Sequence, residues 1–274
     1  MSIFLTSVTK KLVFYCRHYT RTINQTKKQM EDKFTIDVCF SPMLIGNYDL
    51  TNTAVVIIDV VRASSTICTA ISYGVEHIIA LDDVDKARKM KDDGYVTAGE
   101  RNGDQVEGFD YGNSPISFMD RKLEGKKLAM TTTNGTLTFL LAEKAAKKFK
   151  DVEILVGAFV NYSKIRNYLF SGTKNVLLVC SGWKGNPSIE DSVLAGKIAE
   201  DLTRYGKFRF YSDSAYHAIL IYEQARSNIF NFILDYSVRF KENLKKLDQD
   251  IRYCVKENVA DVLPVLLDGK IINK

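Results

Sequence analysis

Ala54-Val55-Val56-Ile57-Ile58-Asp59-Val60-Val61-Arg62-Ala63-Ser64-Ser65-Thr66 is the stretch on which the fold turns. Its first five residues are apolar, mostly β-branched and without polar alternation. That pattern marks a strand buried on both faces, as in parallel or mostly parallel sheets. The run then emits an aspartate, an arginine and three hydroxyls before a helical pattern over Ser65–Tyr73. The same grammar recurs along the chain. Strands are predicted at Phe34–Phe40, Ala54–Val60, His77–Leu81, Tyr95–Gly99, Lys127–Thr131, Ile154–Phe159, Asn175–Cys180 and Asp261–Leu267. Between them lie helical patterns at Val84–Lys91, Thr136–Lys148, Tyr162–Phe170 and Ile189–Tyr205, with longer helices from Ala215 to Val255. Over 136–148, Leu137, Leu140, Leu141 and Ala145 share one face and Lys144, Lys147 and Lys148 lie off it. Strand–helix–strand alternation at this spacing implies right-handed crossovers. The predicted class is α/β, a three-layer α/β/α architecture with a mostly parallel or mixed sheet. A boundary between two closely packed lobes near residues 110–125 is left open.

Composition narrows the function classes. The 274 residues are 46% hydrophobic and 26% charged with 4 prolines, as in soluble globular proteins with an ample core. No apolar run approaches the ~20 residues of a membrane span. The formal charge is +5, but residues 1–29 hold six cations and no acid, leaving −1 for the rest. The body therefore offers no nucleic-acid surface. Five cysteines, with no CxxC pair and three inside apolar runs, read as free thiols in a reducing, cytoplasmic setting. The three histidines have no second His or Cys at ligand spacing. Residues 1–30 are expected to be a flexible extension preceding a domain over 31–274, with Met30 as an alternative start. Their acid-free composition only weakly resembles a transit peptide. The oligomeric state stays open, a homo-oligomer included.

In an open α/β sheet, ligands bind beyond the carboxyl ends of strands, near helix N-termini. Four such junctions collect polar residues. At the first, Arg62 and the Ser64-Ser65-Thr66 helix start make an anion cradle, with Asp59 at the strand end. The plainer reading is that Ser64 caps the helix and Asp59 satisfies loop amides. At the second, Thr131-Thr132-Thr133-Asn134-Gly135 supplies uncharged donors and a glycine for close backbone approach, although Asn-Gly is also ordinary turn chemistry. The third, Ser181-Gly182-Trp183-Lys184-Gly185-Asn186-Pro187-Ser188-Ile189-Glu190-Asp191, sets a Lys before two adjacent carboxylates. Ser188 and Asp191 have capping-box spacing, which leaves Glu190 and Lys184 unexplained, and Trp183 reads as a loop anchor. The fourth runs from Glu100-Arg101 through Asp110 and Asn113 to Ser114-Pro115, a helix start. Glu100, Asp110 and Asn113 are candidate oxygen ligands. Together the junctions offer oxygen ligands suited to a hard cation such as Mg²⁺, and Arg62, Arg101 and Lys184 for a small polyanion. Absences are equally informative: GxGxxG, the P-loop and any Ser–His–Asp arrangement are missing. Cys180 has no Arg after it to hold a thiophosphate, and Val61 stands where a haloacid-dehalogenase-type phosphatase has its second Asp.

In that order, IIDVVRASST, GERNG, GFDYGNSP, TTTNGT and SGWKGNPSIED-x₃-AG resemble the 2-phosphosulfolactate phosphatase (ComB) family, over roughly residues 35–270. The resemblance implies an α/β, Mg²⁺-dependent phosphoric monoester hydrolase. Its family reaction converts 2-phospho-3-sulfolactate to 3-sulfolactate and phosphate, a step of coenzyme M biosynthesis. The expected partner is thus a small polyanionic phosphate ester. Two departures stand out: residues 1–30 have no family counterpart, and 235–240 contain no His, which the family pattern leads one to expect there. With that reaction in view, Asp59, Arg62 and Glu190 are the expected catalytic residues. Asp59, Glu100, Glu190 and Asp191 are candidate metal ligands. Ser64, Ser65 and Thr66 would grip phosphate with Arg62, leaving Arg101, Asn134 and Lys184 for sulfonate and carboxylate. Arg62→Ala is expected to cost activity while leaving stability within ~1 kcal/mol. Direct attack by Asp59 on phosphorus is the mechanistic rival. A repurposed, non-catalytic anion-binding protein is the rival function, and an adenine-nucleotide enzyme a third.

Overall fold

The computed structural model describes residues 33–274, so the expected extension over residues 1–30 lies outside them. Eleven strands form one sheet: β1 (Phe34–Cys39), β2 (Thr53–Ile58), β3 (His77–Ala80), β4 (Val96–Arg101), β5 (Asp104–Gln105), β6 (Lys127–Thr131), β7 (Glu153–Gly157), β8 (Asn175–Cys180), β9 (Phe208–Phe210), β10 (Pro264–Leu267) and β11 (Lys270–Asn273). The helices are α1 (Ala63–Ser72), α2 (Val84–Lys89), α3 (Gly135–Ala146), α4 (Tyr162–Ser171), α5 (Ile189–Thr203), α6 (Asp213–Ala225), α7 (Ile229–Tyr236) and α8 (Val238–Cys254). Across the sheet the order is β5-β4-β6-β3-β11-β10-β7-β2-β8-β1-β9.

The sheet is mixed in an ordered way. β9, β1, β8, β2 and β7 run parallel, and so do β3, β6 and β4. Between the two blocks sits the β10–β11 hairpin, antiparallel to β7 on one side and to β3 on the other. The blocks are therefore opposed along the ladder. β4 and β6, on either side of residues 110–125, pair directly in this sheet. The hairpin turns at Asp268-Gly269, both at positive φ (48° and 75°), as a type I′ turn requires.

Alternate residues of each central strand feed two cores. Ala54, Val56 and Ile58 pack with Val176, Leu178 and Cys180 against α4, α5, α6 and α8. Val55 and Ile57 pack with Leu177 and Val179 against α1 and α3 on the other face. This is the three-layer α/β/α arrangement. Gly196 of α5 is required by close helix packing, since a Cβ there would lie 2.0 Å from the Ala218 carbonyl oxygen of α6. The four cysteines among the described residues are buried and unpaired. Among these residues no helix is long and apolar enough to cross a membrane.

Candidate active site

The ends of both parallel blocks converge on one solvent-open cleft of roughly 550 Å³. Asp59 enters it from the end of β2, Glu100 from β4, Asn134 from the start of α3, Trp183 from the loop after β8, and Arg239 from α8. Strand twist makes this possible. At about 20–25° per step, the four steps from β2 to β3 turn the opposed blocks through roughly a right angle. Contacts between the two blocks confirm the convergence: Lys184 N donates to Asn134 Oδ1 (3.0 Å) and Arg62 Nη2 to Gly103 O (3.2 Å), while within the second block Thr133 N donates to Glu100 Oε1 (2.6 Å).

Asp59 lies at the centre, 8% exposed. Its Oδ1 accepts from Ala63 N (3.2 Å), and its own N–H donates to Ser64 Oγ (2.9 Å), which locks the strand end onto the start of α1. α3 begins beside it at Gly135, where a Cβ would stand 2.8 Å from Asp59 Oδ2 and 2.5 Å from Ala63 Cβ. Only glycine permits that approach. Burial, then the nearby Asp191 carboxylate, pushes the Asp59 carboxyl up to about 7.

Glu190 and Asp191 open α5 behind this centre, both buried. Asp191 Oδ1 accepts from Val60 N (2.8 Å) and Oδ2 from Gly182 N (2.9 Å). It thus staples the loop after β2 to the loop after β8, and Ser188 makes no side-chain cap. Its carboxyl is raised to about 7 by burial and then by Glu190. Glu190 faces Arg239 at 3.8 Å, and its carboxyl is raised by burial against the opposing pull of that guanidinium.

The other expected residues divide into those at the cleft and those spent elsewhere. Arg62 lines the cleft, but its Nη1 is paired with Asp250 Oδ2 of α8 at 2.7 Å, both side chains being largely buried. The hydroxyls of Ser64, Ser65 and Thr66 are fully buried and donate to the Ile57, Val60 and Asn113 carbonyls. They hold the β2–α1 junction together and do not line the cleft. Arg101 turns away toward Glu100 O, Asp82 O and Thr131 Oγ1. Lys184 is exposed, with Nζ 5.6 Å from the Trp183 ring. Asp110 is occupied by Lys91 and Thr97.

One wall of the cleft escaped the sequence reading. α8 contributes Arg239, Asn243 and Lys246, at helical spacings of four and three, and buries Asp250 one turn on. Three polar residues on one helix face were the available signal, which ordinarily marks a solvated surface. The Arg239 guanidinium sits 4.5 Å from the Trp183 ring and 4.4 Å from that of Phe240, and Nη2 donates to Val61 O at 2.6 Å.

A family model described as 2-phosphosulpholactate phosphatase matches residues 39–269, which include every strand end that forms the cleft. The chain belongs to this family. Several curated relatives carry the name "Probable 2-phosphosulfolactate phosphatase". One from Thermotoga maritima is 36% identical over 80% of this chain and 91% of its own length. Another from Synechocystis is 37% identical over 84% and 95%, and one from Clostridium beijerinckii is 31% identical over 86% and 98%. The family is one of phosphoric monoester hydrolases, so the chain is an enzyme of that class.

The cleft offers a limited donor set to a cation. Among the described residues no three His, Cys, Asp or Glu side chains stand close enough together to form a metal cage. Of the four candidate carboxylates, Asp59 and Glu100 line the cleft, Glu100 with each oxygen already accepting one backbone N–H, from Thr133 and Gly103 (2.6 Å each), while Asp191 and Glu190 are engaged behind it. Asn113 Oδ1, at the cleft, and the nearby Thr133 Oγ1 and Ser181 Oγ are buried without a hydrogen-bond partner. Orphaned oxygens beside crowded buried carboxylates suit a hard cation completed by substrate oxygens and water.

Proposed function

We propose that this chain is a Mg²⁺-assisted phosphatase that hydrolyses 2-phosphosulfolactate, or a closely related 2-phospho-acid, to the 2-hydroxy acid and phosphate. The observation that carries this reading is Asp59: a buried carboxylate at a strand end, facing a cleft that also holds Glu100, Arg62 and Arg239. The printed names of the relatives supply the substrate. Asp59 and Glu100 would hold the metal, with Asn113 Oδ1 as a neutral oxygen nearby. Mg²⁺ commonly uses one or two carboxylates together with substrate phosphate, and when bound it would neutralise the transferring phosphoryl group. Asp59 would direct water onto phosphorus as the bond to the C2 oxygen breaks. The N–H groups at the start of α3 and the Asn134 amide would meet the phosphoryl oxygens.

Phosphate release from 2-phosphosulfolactate and from other 2-phospho-acids, with Mg²⁺ and with EDTA, tests the proposal. Turnover that EDTA abolishes and Mg²⁺ restores is expected. Saturable binding of the ester without phosphate release would instead identify a repurposed anion-binding member of the family.

A further inference from the structure

We infer that α8 reads the anionic groups of the substrate that are not transferred, its carboxylate and sulfonate, with Arg239 and Lys246 as the specificity-determining cations. This rests on the phosphatase reading above and assigns residues to a part of the substrate that reading left open. The cleft is chemically divided. Its strand-end wall carries the carboxylates and amides, whereas its α8 wall carries Arg239, Asn243 and Lys246 along one helix face. Of the two arginines at the cleft, Arg62 is matched by the buried Asp250 at 2.7 Å and bound also to Gly103 O. Arg239 is matched less closely: Glu190 stands 3.8 Å away, and Val61 O is the only hydrogen-bond acceptor it has among the described residues.

The guanidinium is also held in place. Trp183 and Phe240 lie 4.5 and 4.4 Å from it, and a planar cation against aromatic rings keeps its N–H edge available for a carboxylate or sulfonate. Side-chain freedom is thereby lost before substrate arrives, which lowers the cost of binding. Trp183 and Glu190 act as positioning residues. Lys246, two turns along α8, is 45% exposed and paired with Asp104 of β5. It adds a second, more exposed charge at the mouth. A phosphate monoester without a further anion leaves both cations unused, while a 2-phospho-acid engages them with the phosphate still at Asp59.

The test compares kcat and KM of the wild type, Arg239→Gln and Lys246→Gln on 2-phosphosulfolactate and on phenyl phosphate, with thermal melts to verify folding. One charge-assisted hydrogen bond lost should cost about 10- to 100-fold in kcat/KM. That loss is expected on 2-phosphosulfolactate, mainly in KM, for Arg239→Gln, with a smaller one for Lys246→Gln. On phenyl phosphate each loss should be at least about tenfold smaller. Arg239→Lys, which keeps the charge, should recover part of the affinity. Equal losses on both esters, or none on either, would overturn the assignment. If Arg239→Gln does not fold, the partly exposed Lys246 carries the same comparison. A wild-type enzyme inert toward both esters overturns the phosphatase reading, and this inference with it.

Discussion

Asp59 combines three properties that seldom meet in one side chain: burial, a like-charged neighbour and access to a cleft. Burial and Asp191 lift its carboxyl from 3.8 to about 7, so the folded state holds this proton more tightly than the unfolded chain does. Folding therefore takes up a proton between about pH 4 and 7, and stability falls as pH rises through that window. In metal-free buffer the wild-type Tm should thus be lower at pH 8 than at pH 6. Asp59→Asn keeps an oxygen for Ala63 N–H and removes the charge, so its Tm should drop less over the same interval. Phosphate release by that variant should fall about 10³-fold. A variant as active as wild type would take Asp59 out of the chemistry.

At the scale of elements, α8 matters as much as the strand ends. It is anchored through Asp250, which accepts from Arg62 Nη1 and from Ser114 Oγ (2.5 Å) and so ties three distant segments together. The expectation that Arg62 can be lost at a stability cost within ~1 kcal/mol gives way here, because its removal strands a buried carboxylate. Arg62→Gln should destabilise the protein by about 3 kcal/mol, read from urea unfolding at neutral pH. A change below about 1 kcal/mol would mean that Asp250 finds another donor or neutralises.

At the scale of the molecule, the last strands in sequence lie in the middle of the sheet. β10 and β11 join β7 to β3, and hence one parallel block to the other. Deleting residues 264–274 should expose the inner edges of both blocks and separate Asp59 from Glu100. Unpaired strand edges of that kind favour aggregation. The truncated chain should show no cooperative thermal transition by circular dichroism, where the full chain shows one. Cooperative melting of the truncated chain would mean that the blocks hold together without the hairpin.

Local sequence determined the layer architecture, because strands buried on both faces leave unbroken apolar runs such as Ala54–Ile58, and the strand-end polar clusters mark where a ligand can lie. It also carried the hairpin signal Asp268-Gly269, directly after the final predicted strand Asp261–Leu267, without a second strand being predicted beyond it. β5 and β9, two and three residues long, are too short to show any period. Tertiary structure alone decided which polar groups face the cleft. Ser64, Ser65 and Thr66 look like a phosphate cradle in sequence, yet their hydroxyls are consumed by carbonyls that become neighbours only after folding. Arg239 looks like a surface residue until α8 folds back onto Val61, 178 positions earlier in the chain, and sets the guanidinium 3.8 Å from Glu190. Hydrophobic periodicity is a property of neighbours in sequence; the partner of a charge is a property of neighbours in space.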